Sequence, residues 1–120
     1  MKQAVFTLSL TTYDAAGALL CEEVKAEKVE LQFTKQLHVE SEVATGSPEV
    51  IDLTTIASPK AFILFNRGTA DIAYKASGKL TDSGIISPGG FICIAAAGFD
   101  AIEVTTGNLT AVPFEYWQLG

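Results

Sequence analysis

The chain has one histidine, two cysteines, one tryptophan and eight lysines and arginines among its 120 residues. Each shortage removes a class of chemistry. With His38 alone, the multi-histidine metal set of a jelly-roll enzyme is out of reach, and its place on a polar strand face between Gln36 and Glu40 reads as a surface histidine rather than a general base. Cys21 and Cys93 lie far apart, with no CxxC spacing or Cys/His cluster, so no zinc site is expected. Both cysteines sit in apolar contexts and read as small, unpaired core residues. The few basic residues are scattered and outnumbered by fourteen acids, giving a net charge of −6, which argues against nucleic acid as a ligand. No apolar run approaches the length of a membrane span, and Met1-Lys-Gln-Ala-Val-Phe-Thr7 lacks the apolar core of a secretion signal. The expectation is a soluble chain made in the cytoplasm. Charged residues make up only 18% of the chain, below the ordinary ~25%.

What the sequence does have is a period of two. Phe6, Leu8 and Leu10 alternate with Thr7, Ser9 and Thr11, and a turn follows at Tyr13-Asp-Ala-Ala-Gly17. Val29, Leu31, Phe33, Leu37 and Val39 occupy odd positions, with Lys35 interrupting. That predicts one long half-buried strand, or two joined by a bulge near Lys35. Between these segments, residues 18–28 are rich in Ala and Glu and favour a short helical turn. The alternating signs of Cys21-Glu-Glu-Val-Lys-Ala-Glu-Lys-Val-Glu30 read as a solvated face. Ala61-Phe-Ile-Leu-Phe65 is apolar on both faces and predicts a central buried strand.

Turn signals recur at Gly46-Ser-Pro48, Ser58-Pro59, Asn66-Arg-Gly68, Ser83-Gly84, Ser87-Pro-Gly-Gly90, Gly98 and Gly107-Asn108. About eight short strands at this spacing predict an all-β fold: one antiparallel β-sandwich over 1–120, jelly-roll-like, with little helix.

No constellation for catalysis emerges. Asp71, Asp100 and Glu103 lie on neighbouring β segments, as a glycosidase pair would, but two of them sit where carboxylates cap or solvate turns. Ser87-Pro-Gly-Gly90 leads into the β-prone Phe91-Ile-Cys-Ile94 rather than a helix, and no lysine follows. It predicts a type II turn, not a phosphate cradle. Asn108-Leu-Thr110 matches a glycosylation sequon, idle without a secretion signal, and Gly107-Asn108 reads as a hairpin turn. No catalytic residue, cofactor or metal is therefore expected.

Pro113-Phe-Glu-Tyr-Trp-Gln-Leu119 concentrates three aromatics. Either it is a strand of the core, or Phe114, Tyr116, Trp117 and Leu119 pack against a neighbouring subunit, where Tyr and Trp are enriched.

One order of elements is more specific: Phe65-Asn66, Gly68-Thr-Ala-Asp-Ile72, Ile86-Ser-Pro-Gly-Gly90, Gly98-Phe-Asp-Ala-Ile102 and a closing Phe114-Glu-Tyr116. This succession, over roughly residues 50–119, resembles small β-sandwich virion proteins of tailed bacteriophages, such as capsid decoration (cement) proteins. The resemblance implies a non-enzymatic part of a phage particle whose loops and edge strands grip its neighbours. The implied partners are the major capsid protein or other virion subunits, with a homo-oligomer, trimer first, and neither nucleic acid nor membrane. The implied location is the virion, after synthesis in the host cytoplasm. The alternatives are a neck or tail component, or a carbohydrate-binding β-sandwich in which Tyr74, Tyr116 and Trp117 stack on sugar rings.

Overall fold

The computed structural model describes residues 2–13, 15, 16 and 19–120; at residues 6, 8–13 and 19–30 it describes the backbone alone. The chain forms two compact units, residues 1–34 and 35–120. The sandwich occupies the second unit, whereas the sequence pattern places all 120 residues in it.

The first unit pairs β1 (Lys2–Tyr13) with β2 (Leu19–Phe33) as an antiparallel two-stranded ladder. Its register sets Ala4 opposite Leu31 and Phe6 opposite Val29, so apolar positions meet across it. The helical turn expected within 18–28 does not form, because from Leu19 onward that segment is strand. Pairing with β1 outweighs the helix propensity of Ala and Glu, which is a weak bias of tenths of a kcal/mol per residue. The turn expected at 13–17 falls partly outside the described residues. The break near Lys35 is real: β2 ends at Phe33, and Lys35 instead exchanges both backbone bonds with Gly120, at 2.8 and 3.0 Å.

The second unit contains β3 (Gln36–Val43), β4 (Glu49–Asp52), β5 (Ala61–Asn66), β6 (Ile72–Gly78), β7 (Asp82–Ile86), β8 (Phe91–Ala95), β9 (Phe99–Thr105) and β10 (Val112–Leu119). The only helical element among the described residues is a 3-10 turn, Leu53–Thr55, capped by the Asp52 carboxylate, which accepts from Thr54 N at 2.8 Å. One sheet runs β3-β10-β5-β8 and the other β4-β9-β6-β7, all antiparallel. Within this unit the first strand lies beside the eighth, the eighth beside the third and the third beside the sixth. In the other sheet the order is second, seventh, fourth, fifth. That nested pair of Greek keys is a jelly roll.

Alternation explains the core. Phe62 and Leu64 of β5 point between the sheets with Val112 and Phe114 of β10, meeting Ile72, Ala76, Ile102, Val104 and Ile86 of the other sheet. β5 is central, between β10 and β8, as the sequence predicts, but only its Phe62 and Leu64 face is fully buried; Ile63 and Phe65 are part-exposed on the other face, as an antiparallel sheet allows. Asn66, at the end of β5, is the one large polar side chain wholly enclosed among the described residues. It is satisfied at every atom: Nδ2 donates to Ala70 O and Ile86 O, both at 2.8 Å, and Oδ1 accepts from Gly68 N at 2.9 Å. Its backbone also bonds the Pro88-Gly89-Gly90 corner, donating to Gly90 O and accepting from Gly89 N. That corner is the predicted type II turn. Gly89 has φ +76°, and Gly90 N donates to Ser87 O at 2.8 Å. Gly107-Asn108 is not a hairpin turn, because it joins β9 in one sheet to β10 in the other.

Candidate functional site

The solvent-facing side of the β3-β10-β5-β8 sheet carries an unusual set of side chains. Register places His38, Trp117, Ile63 and Cys93 in one row across the four strands. Glu40, Glu115, Phe65 and Phe91 form the next row. An outward sheet face usually reads polar, yet five of these eight residues are apolar and Phe91 is 55% exposed.

The rings interlock. His38 stacks on Trp117 with centroids 4.4 Å apart and planes 7° from parallel. Phe65 meets Trp117 at 5.6 Å and 83°, and lies 5.4 Å from Phe91. The Arg67 guanidinium carbon sits 4.5 Å above the Phe65 ring, a cation–π contact.

Charge is organised around Glu115. It stands opposite Glu40 in the β3–β10 ladder, a like-charge pairing that disfavours the sheet. Two partners offset it. His38 Nε2 lies 3.0 Å from Glu115 Oε2, and Arg67 Nε donates to Glu115 Oε1 at 2.6 Å, with Arg67 Nη2 also on that oxygen. The His38 bond, followed by the Arg67 bond, holds the Glu115 carboxyl below the usual glutamate range. His38, Glu40 and Glu115 bring three metal-type donor atoms within 4.8 Å of one another. Arg67 holds Glu115 Oε1 and His38 faces Oε2, so the chemistry of the set as it stands is that of an ion-paired, ring-stacked surface.

The aromatic segment near the C-terminus divides by parity. Phe114 belongs to the core, Tyr116 packs against it 5.5 Å from Phe62, and Leu119 is buried outside the main cluster. Of the four residues expected at an interface, Phe114 and Tyr116 lie on the core side; Leu119 shares the parity of Trp117 and the row of Ala95 but is buried, which leaves Trp117 as the part-exposed one on the outer face. Burial pushes the Tyr116 hydroxyl up, with Glu49 adding to the shift.

The set proposed for sugar stacking is split in the same way. Tyr74 lies in the other sheet, packed over Gly84 and donating to Asp82 at 3.1 Å, and Trp117 is stacked against His38. The Asp71 carbonyl accepts from Thr106 just past one end of β9 while Asp100 stands near the other, about 20 Å away at the rise of a strand, and Glu103 faces Lys75. They form no carboxylate pair.

Cys93 corrects the sequence expectation. It is a free, exposed thiol rather than a core residue, and of Phe91–Ile94 only Ile92 and Ile94 pack inward. The run FICIA is apolar at both parities, so the sequence could not reveal that its odd members face outward. The Cys21 side chain lies outside the described residues. Nothing in sequence spacing could pair His38 and Arg67 with Glu115; β10 does so by bonding β3 on one side and β5 on the other.

No family model matches the chain, and no curated protein matches it. Among solved structures, it is similar to a subunit of the disulfide-linked pili of Bacillus endospore appendages, with 12% identity and a TM-score of 0.54. That match covers 71% of this chain and 81% of the other. A second similarity is to the cupin domain of Schizosaccharomyces pombe Cnp3, with 8% identity and a TM-score of 0.45, covering 96% and 83% of the two chains. At these identities the pilus likeness speaks to the fold, an antiparallel β-sandwich.

Proposed function

We propose that the chain is a non-enzymatic structural subunit of a larger assembly, and specifically a tailed-phage virion protein that decorates the capsid. The observation that carries the proposal is the outer face of the β3-β10-β5-β8 sheet. Phe65, Phe91 and Trp117 are held in place there by ring contacts and the Arg67–Glu115–His38 pairs, with Ile63 beside Trp117 in the ladder, an apolar centre with a charged rim such as contact surfaces between subunits use. Three further points support it. Jelly rolls build viral capsids, the order of elements from Phe65-Asn66 to Phe114-Glu-Tyr116 resembles virion proteins, and the pilus subunit of similar fold is also a part of a polymer. Fold likeness alone does not carry function, so the surface takes the weight.

The test is sedimentation of particles from cells that encode the chain. A decoration subunit travels with the particle at a fixed ratio to the major capsid protein, and particles lacking it disassemble at lower temperature. A chain found only at the top of the gradient overturns the proposal.

A further inference from the structure

The jelly roll has four edge strands, β3, β8, β4 and β7. Natural sheets protect edges with charge, proline, brevity or bulges. β3 carries Glu40 and Glu42, β4 is four residues long with Glu49 and Asp52, and β7 has Asp82. β8, Phe91-Ile-Cys-Ile-Ala95, has no charge, no proline and no register shift against β5. In a chain of net charge −6, it is the edge that meets its own copy with no like-charge contact.

The ladder shows which backbone groups that edge presents. Asn66 N donates to Gly90 O and Ala96 N donates to Lys60 O, so the hydrogen-bonded pairs with β5 fall on the even residues of β8. By the alternation of antiparallel ladders, the N–H and C=O of Phe91, Cys93 and Ala95 point away from β5.

We infer that β8 pairs antiparallel with β8 of a second copy across a two-fold axis at Cys93, joining two four-stranded sheets into one. Reciprocal bonds then form at Phe91–Ala95, Cys93–Cys93 and Ala95–Phe91. The side chains are self-complementary. On the outer face the large Phe91 lies over the small Ala95 of the second copy, and on the inner face Ile92 meets Ile94. The contact covers Phe91 and makes the aromatic face continuous through the axis. It is isologous and closes as a dimer, unlike the trimer that the virion resemblance implies, and it stands whether or not the assembly is a phage particle.

The geometry also supplies the test. Cα atoms of a hydrogen-bonded antiparallel pair are about 5.5 Å apart, inside the Cα range of disulfides, and a shift of about 1 Å between the two edge strands brings the Cβ atoms within reach. In a Cys21→Ser background, diamide treatment would join the two Cys93 thiols; they lose two electrons and two protons, which reduce the diamide N=N bond to a hydrazine. The expected results are a dimer by sedimentation velocity without oxidant, and a Cys93-dependent covalent dimer with it. Cys93→Ser should dimerise as the parent does without crosslinking. Cys93→Lys sets two like charges face to face and should raise the dimer dissociation constant on the order of a hundredfold. Circular dichroism checks that it folds, and Ala95→Lys serves if it does not. A monomer at every concentration, open-ended oligomers in place of a dimer, or a dimer indifferent to these lysines overturns the inference.

Discussion

Replacing Asn66 removes the fastener between the two sheets, and the loss can be worked out from its three side-chain bonds. Asn66→Ala strands the carbonyls of Ala70 and Ile86 and the N–H of Gly68. A buried polar group left without a partner costs about 1–3 kcal/mol. The Ile86 bond is fully buried, while the other two are part-buried and regain some hydration, so the expected loss is about 3 kcal/mol. For a domain of this size that lowers Tm by roughly 12 °C or more. Asn66→Asp keeps the shape but points a carboxylate at two carbonyl oxygens. Burial and those oxygens raise its pKa above the unfolded value, so the native state holds its proton more tightly than the unfolded chain. The deficit of Asn66→Asp should therefore shrink as pH falls from neutral toward about 4. Urea denaturation followed by far-ultraviolet circular dichroism at several pH values measures both effects. An alanine variant within 1 kcal/mol of the parent, or an aspartate deficit that ignores pH, would refute the reasoning.

Glu115→Gln tests the ion-paired cluster. The depressed Glu115 carboxyl contributes stability that is present above the ordinary glutamate range and lost as pH falls through its folded value, below about 4.3. The Tm gap between parent and variant should close on acidification there; parallel Tm–pH curves would contradict the cluster. Gly78→Ala should cost more than about 1–3 kcal/mol, because Gly78 has φ +153° and an added Cβ would lie 2.7 Å from Gly98 O and 2.8 Å from Asp100 N. Gly107→Ala, with nothing within 4 Å, should be nearly neutral in the same melt. Glycan titration should leave Trp117 fluorescence unchanged, since His38 stacks on the ring and Phe65 abuts it; a saturable shift would favour the sugar-binding alternative.

Much of the fold is local chemistry, and the sequence carries it openly. The apolar run at Ala61–Phe65 reads as central and Pro88-Gly89 as a turn, and each is so, although Phe91–Ala95 is equally apolar on both faces and forms an edge. Spacing of such signals is enough for an antiparallel sandwich, but the eight or so strands it predicts over 1–120 are ten among the described residues, of which the eight within 35–120 build the sandwich. What stays hidden is long-range. Residues 18–28 become strand only because β1 lies alongside. Gly107-Asn108 is indistinguishable from a hairpin turn until β9 and β10 are seen in different sheets. Cys93 and Phe91 look like core until β8 proves to be an edge whose odd residues face outward. The cluster of His38, Arg67 and Glu115 depends on β10 lying between two strands distant in sequence, and Asn66 declares its role only once Ile86 of the opposite sheet comes within reach.

The central claim is that this jelly roll is a building part rather than a catalyst. Cryo-electron microscopy of particles purified from cells that encode the chain tests it most directly. The account predicts regularly repeated density matching the 35–120 sandwich on the particle, with the Trp117–Phe65–Phe91 face against another subunit. Complete particles without that density, or the sandwich present with this face bare to solvent, would contradict it.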